Sequence, residues 1–157
     1  MGIDEKAVDS LKEEAKPRGT YIREVILENF MSHEYSRIPL KPGMNVITGP
    51  NGAGKSSILL GIAVALGQTY TDRAEKLSDL IRRGEKAARV TVIFDNREVD
   101  GKRPIPWLNS DQLVVTRYLK KTGEYWHYIN NRLKTKAEAE HILRRLGINP
   151  NNMLIIM

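Results

Sequence analysis

At 157 residues the chain has the length of one domain with an ordinary buried core. Its 41% hydrophobic and 28% charged residues exclude a disordered segment. The absence of cysteine excludes a disulfide framework, a thiolate metal site and a cysteine nucleophile, while a net charge of +6 points toward a polyanion, with DNA the commonest. A surface merely rich in lysine and arginine is the plain alternative. No apolar run approaches the ~20 residues that span a bilayer, and the mixed-charge N-terminal stretch is unlike a secretory signal. The expectation is a cytoplasmic or nucleoid-associated protein, nuclear in a eukaryote, with no membrane partner.

Residues 1–19 read as a tail. Val8, Leu11 and Ala15 line a narrow stripe of a short helix that Pro17-Arg18-Gly19 breaks. The domain proper is expected over 20–157. Ile22, Val25 and Leu27 stand among charged residues as a strand places them, ending at Asn29, and a second short strand falls near Tyr35–Leu40. Lys41-Pro42-Gly43 turns the chain into a mostly apolar strand, Met44–Thr48. After a glycine-rich loop, Ile58, Leu59, Ile62, Ala63 and Leu66 recur at helical spacing up to Gly67. A short helix is expected around Leu77–Arg82, then a strand over Arg89–Phe94. Leu113–Leu119 and Tyr125–Ile129 pair as a hairpin, and Asn130-Asn131 makes a second tight turn. Thr135 and Glu138 form a capping box for a helix burying Ala139, Ile142, Leu143 and Leu146, closed by Gly147. Met153–Met157 reads as a buried strand cut off in mid-element, so the chain is expected to be a fragment.

The chemistry concentrates in Gly49-Pro50-Asn51-Gly52-Ala53-Gly54-Lys55-Ser56. This is a phosphate-loop pattern set between a strand and a helix, which is the context the motif requires. Gly52 and Gly54 let successive backbone N–H groups turn inward as a nest for phosphate oxygens. The following helix adds the positive end of its dipole. Lys55 supplies a point charge to the outer phosphates, and the Ser56 hydroxyl suits magnesium, a hard ion that prefers oxygen. A glycine turn capped by a lysine is the bland reading.

Other constellations are weaker. Val92-Ile93-Phe94-Asp95 imitates a strand that delivers a carboxylate to magnesium. However, Thr91 interrupts the apolar run, and Asp95-Asn96 and Asp100-Gly101 read as turns. His33, His127 and His141 lack metal-ligand spacing and are assigned to surface or hairpin positions. Tyr125, Trp126 and Tyr128 either stack nucleobases or, as strand aromatics, pack the hairpin onto the domain. Arg82, Arg83, Lys86 and Arg89 form a basic run that is either a solvated helix end or a DNA-facing patch.

Asn51 and the Ser56-Ser57 pair resemble the ATP-binding-cassette group. Leu27-Glu28-Asn29-Phe30-Met31-Ser32-His33, with Gly43-Met44-Asn45-Val46-Ile47-Thr48-Gly49, resembles the N-terminal head segment of structural-maintenance-of-chromosomes (SMC) proteins and their Rad-type repair cousins. The block Thr71–Ile81 with Gly84, Ala87 and Val90 is similar to the SMC pattern after the first helix. So are Tyr128-Ile129-Asn130-Asn131 with Thr135, and Leu146-Gly147-Ile148 with Asn152. The nearest branch is that of repair-type SMC and archaeal coalescin-like proteins.

The resemblance covers about 20–157. It implies an α/β fold of ABC-ATPase type, with parallel core strands and an antiparallel β lobe. It also implies ATP with Mg2+ held by Gly49, Pro50, Asn51, Gly52, Ala53, Gly54, Lys55, Ser56 and Ser57, with Ser56 on the metal. Arg73 falls where the family's R-loop arginine is linked to DNA-stimulated hydrolysis, and Arg82, Arg83 and Lys86 would extend that DNA surface. The implied partners are DNA, the C-terminal lobe of the same head and a second head.

The signature segment, the Walker B carboxylates and coiled-coil heptads are not in this sequence, so hydrolysis is expected only from the complete head. A transporter nucleotide-binding subunit is the alternative. It needs a sensing glutamine that neither Gln68 nor Gln112 provides convincingly. A non-catalytic nucleotide sensor is a third reading.

Overall fold

The computed structural model describes residues 21–40, 53–67 and 76–146, with residues 53–56 described by their backbone alone. The tail, the Met44–Thr48 strand expected in the parallel core, the loop as far as Gly52, Gln68, Arg73, Gly147 and Met153–Met157 lie outside the described residues.

Among the described residues six strands form one sheet in the order β2-β1-β3-β4-β5-β6. They are β1 (Ile22–Phe30), β2 (His33–Pro39), β3 (Ala87–Asp95), β4 (Gln112–Lys120), β5 (Tyr125–Ile129) and β6 (Arg132–Lys134). Every adjacent pair is antiparallel. This is the expected antiparallel lobe, and the Gln112–Ile129 hairpin has the predicted partners. The Asn130-Asn131 turn is tight because both residues adopt positive φ, 47° and 65°, a conformation asparagine tolerates better than most.

The two-residue side-chain period gives the sheet two unlike faces. Val25 and Leu27 of β1, Val90, Val92 and Phe94 of β3, and Leu113, Val115 and Leu119 of β4 share one buried face. On the other face, Glu24 and Glu28 of β1 pair with Arg37 and Arg89, Arg89 Nη2 reaching Glu28 Oε1 at 2.8 Å. There too Tyr118 and Trp126 lie 5.6 Å apart.

Helix α1 (Ala53–Ala65) covers the buried face. The expected stripe of Ile58, Leu59, Ile62, Ala63 and Leu66 is only partly the observed one. Leu59, Ala63 and Leu66 are buried, Ile58 and Ile62 are half-buried, and Ser57, Gly61, Val64 and Ala65 join the core. A helix that is apolar nearly all round has no single stripe to read. Gly61 sets the spacing: a Cβ there would stand 2.6 Å from Leu27 Cδ2.

The helix expected around Leu77–Arg82 is one 3-10 turn, Leu77–Leu80. It is pinned to the β1–β2 corner by Met31 N to Leu80 O at 2.7 Å and Arg82 N to Asn29 O at 2.8 Å. Helix α2 (Lys136–Arg145) has the predicted reciprocal cap: Glu138 N donates to Thr135 Oγ1 and Thr135 N to Glu138 Oε1, both at 3.1 Å. Its Ala139, Ile142 and Leu143, with Leu146 just beyond, are buried as expected.

Candidate functional site

The phosphate-loop motif straddles the edge of the described residues: Gly49 to Gly52 lie outside, and α1 starts at Ala53 within the motif. A helix beginning there presents free N–H groups and the positive end of its dipole in its first turn, within the motif. Its first turn holds no acidic residue to occupy those donors. That arrangement suits a polyphosphate anion. Ser57, one turn into the helix, is buried at 2% exposure.

The opposite end of α1 is fastened to the sheet. Arg117, at the centre of β4 and fully buried, donates from Nη1 to Val64 O at 3.1 Å. Its guanidinium lies 4.6 Å from the centre of the Tyr125 ring. Burial pulls Arg117 down to about 10, which leaves it cationic near neutral pH. Directly across the strand pair stands His127, also buried. Burial first, and the cations Arg117 and Lys136 next, push His127 down to about 4. Its Nε2 has no hydrogen-bond partner among the described residues.

Several expectations change here. His127 takes the expected hairpin position, but its side chain is buried in the core, because alternation from Ile129 carries it inward. His33 is half-buried with Nδ1 on Ser36 Oγ at 2.7 Å, and His141 is exposed against Trp107 at 6.0 Å. Among the aromatics, Tyr125 is exposed and lies against Arg117 and His127 within the hairpin itself. Trp126 and Tyr128 face the opposite side of the sheet, where Lys120 Nζ sits 5.1 Å from the Trp126 ring.

Asp95 is held by Arg97 through hydrogen bonds of 2.9–3.1 Å, which keep its carboxyl down at about 2. The described residues contain no group of acids and histidines able to hold a metal. Asn96, fully buried, spends its amide on the following loop: Oδ1 accepts Ile105 N at 2.8 Å, and Nδ2 donates to Leu108 O and Ser110 O at 3.1 and 2.9 Å. The Asp95-Asn96 pair is therefore turn and loop chemistry.

Of the basic run, Arg82 is half-buried and 3.8 Å from Glu85, whereas Arg83 and Lys86 are exposed. Arg89 is separated from them, drawn onto the outer sheet face by Glu28. In its place the structure brings Lys121, whose N–H donates to Lys86 O at 2.9 Å. Sequence order hid this neighbour, although the Lys120-Lys121 pair at the end of a predicted strand was visible.

Comparison with known proteins agrees with the architecture. The model of the RecF/RecN/SMC N terminal domain matches residues 21–154. Structural maintenance of chromosomes protein 6 of Saccharomyces cerevisiae is 38% identical over 112 residues, covering 70% of this chain and 10% of the yeast protein. Protein 2 of the same organism is 34% identical over 139 residues, covering 83% and 12%. The chain thus spans about a tenth of the length of these curated relatives.

Among solved structures, one described by ATP-driven dimerization and DNA stimulated activation of SMC ATPases superposes with a TM-score of 0.73 at 30% identity, covering 87% of this chain and 86% of the other. The Smc head domain of Pyrococcus furiosus, bound to the C-terminal domain of ScpA, gives 0.74 at 31% identity, covering 85% and 35%. With the family model spanning the sheet and both helices, and the head structures sharing the fold, the chain belongs to the RecF/RecN/SMC N terminal domain family.

Proposed function

We propose that this chain is the ATP-binding, N-terminal part of an SMC-type ATPase head. The observation that carries the reading is α1: it starts inside the Gly-Lys-Ser motif, has no acid in its first turn and is seated on the sheet of a family member. Gly52 and Gly54 shape the loop, Gly49 to Ser57 surround the phosphates, Lys55 neutralises the outer ones and Ser56 ligates Mg2+. Hydrolysis belongs to the complete head, in which the C-terminal lobe adds the remaining metal and water-positioning groups and a second head closes over ATP. Phosphoryl transfer is largely positioning and electrostatics, so an incomplete set of groups gives no turnover.

Calorimetry of the full-length chain with Mg-ATP tests the site. Lys55→Ala removes a charged hydrogen bond worth about 1.5–3 kcal/mol, a loss of about tenfold or more in affinity. Unchanged affinity overturns the reading. Residues 1–157 alone are expected not to hydrolyse ATP, and adding the separately expressed C-terminal lobe restores turnover.

Such a head acts on DNA, in its organisation or repair. Arg73 is assigned to the DNA response, with Arg82, Arg83 and Lys86 near it in sequence. Arg73→Ala in the complete protein abolishes DNA stimulation of turnover while ATP affinity stays. A variant that loses melting temperature but keeps its DNA response would show that Arg73 merely orders its loop.

A further inference from the structure

Arg117 is an odd residue for its position. A cation taken wholly out of water costs several kcal/mol unless its donors and charge are used. Its cross-strand neighbours are Val90 and His127, neither of which is an acid. The C-terminal end of α1 is one group that faces it. A helix leaves its last carbonyls without intrahelical partners and carries partial negative charge there, which suits a guanidinium on both counts. Arg117 Nη1 takes Val64 O at 3.1 Å, and the Gly67 amide takes the same carbonyl at 3.1 Å. The Tyr125 ring steadies the guanidinium from one side.

We propose that Arg117 is a positioning residue for the nucleotide site: by gripping the Val64 carbonyl it fixes the axial setting of α1, and so the placement of Lys55 and Ser56 at the other end of that helix. The inference rests on the nucleotide reading given above. Leu59, Gly61, Ala63 and Val64 of α1 also meet the sheet through apolar contacts. Apolar burial is non-directional and tolerates a small slide along the helix axis. A hydrogen bond from a planar fork does not. At 1.5 Å per residue the 13 residues of α1 make a rod of about 20 Å, stiff enough to carry a displacement at Val64 to the phosphate end. Misplacement on the ångström scale is costly where several groups must converge on one ligand.

The test uses the full-length protein and four forms: wild type, Arg117→Met, Arg117→Lys and Lys55→Ala. Two quantities are measured on each, the Mg-ATP Kd well below the melting temperature and the melting temperature with and without ATP. Arg117→Met is expected to weaken Kd about tenfold and to shrink the ATP-induced rise in melting temperature accordingly. Arg117→Lys keeps the charge but not the fork and recovers part of the loss, sitting about threefold weaker than wild type.

A residue that only stabilised the core would lower the melting temperature equally with and without ATP and leave Kd unmoved. That result overturns the proposal. If Arg117→Met does not fold, the lysine variant decides: wild-type affinity in it overturns the proposal. A Lys55→Ala form that binds ATP normally overturns the nucleotide site and this inference with it. A loss in Lys55→Ala with none in either Arg117 form overturns the Arg117 role alone.

Discussion

Asn130 and Val114 are bound to each other twice: the Val114 N–H donates to Asn130 Oδ1 at 2.7 Å, and the Asn130 N–H donates to Val114 O at 2.9 Å. The Asn130 Nδ2 adds a third bond, to Gln112 O at 3.1 Å. One turn residue thus extends the β4–β5 ladder past its last strand pair.

Asn130→Ala removes two side-chain hydrogen bonds, each worth about 0.5–1.5 kcal/mol net. It also leaves a non-glycine, non-asparagine residue at φ 47°, which adds about 1 kcal/mol. A loss of about 2–4 kcal/mol by urea unfolding is expected, and Asn130→Gly, which relieves only the backbone, should fall between the variant and the wild type.

Gly61 makes a second, opposite demand. Alanine would improve helix propensity by about 1 kcal/mol. Yet its Cβ would come within 2.6 Å of Leu27 Cδ2, and Leu27 is fully buried, so that side chain must shift within the core. Gly61→Val should cost about 1–3 kcal/mol by overpacking, and Leu27→Ala in the same chain should return part of that cost. Additive losses in the double variant would contradict the contact.

What was legible in the chain follows from how local its cause is. The Asn130-Asn131 turn and the Thr135–Glu138 cap are set by neighbours three residues apart or fewer, and both form as expected. The phosphate-loop motif is contiguous too, so its residues are proposed from sequence alone, and Gly49 to Gly52 lie outside the described residues. Arg117 and His127 were hidden by composition, not by pattern. The period of two that puts Leu113, Val115 and Leu119 inward also puts Arg117 inward, but a cation at that position reads as exposed until a helix end is found above it. Lys121 joining Lys86 depends on the β3–β4 register, which pairs Ala87 with Lys120, and no local signal encodes that neighbour.

The buried His127 predicts a pH window. Its folded value is depressed to about 4, against about 6.5 for an unperturbed histidine. Between these values the unfolded chain binds the proton and the folded one does not, so stability is full above about pH 6.5 and declines as pH falls toward about 4. The decline is at most about 3 kcal/mol, taking 1.36 kcal/mol per unit. Asp95 contributes in a separate window: held down at about 2 by Arg97, it loses its contribution only as pH falls below the ordinary carboxyl range. Urea unfolding at pH 7 and pH 4.5 checks this. His127→Phe should flatten the difference between the two, and an unchanged difference would place the proton elsewhere.

Arg83, Lys86 and Lys121 offer the last expectation, which concerns DNA. Arg83 and Lys86 are exposed on the turn before β3, and the backbone bond from Lys121 to Lys86 brings the β4–β5 turn alongside them. If these groups meet DNA phosphates, each neutralised phosphate releases condensed counterions, so binding by the full-length protein falls steeply with salt. Changing all three to alanine should lower the log–log slope by about 0.9 for each phosphate no longer neutralised, about 2.7 in all. The effect should be the same for unrelated DNA sequences, because phosphate contacts position without reading bases. Arg89 is the internal control: it lies on the outer sheet face in an ion pair with Glu28, so Arg89→Ala should leave the slope unchanged. A solvated turn with no DNA role predicts one slope for all three proteins. A drop in the triple variant accompanied by an equal drop in Arg89→Ala would point to net charge alone, since a diffuse field does not distinguish one face from another.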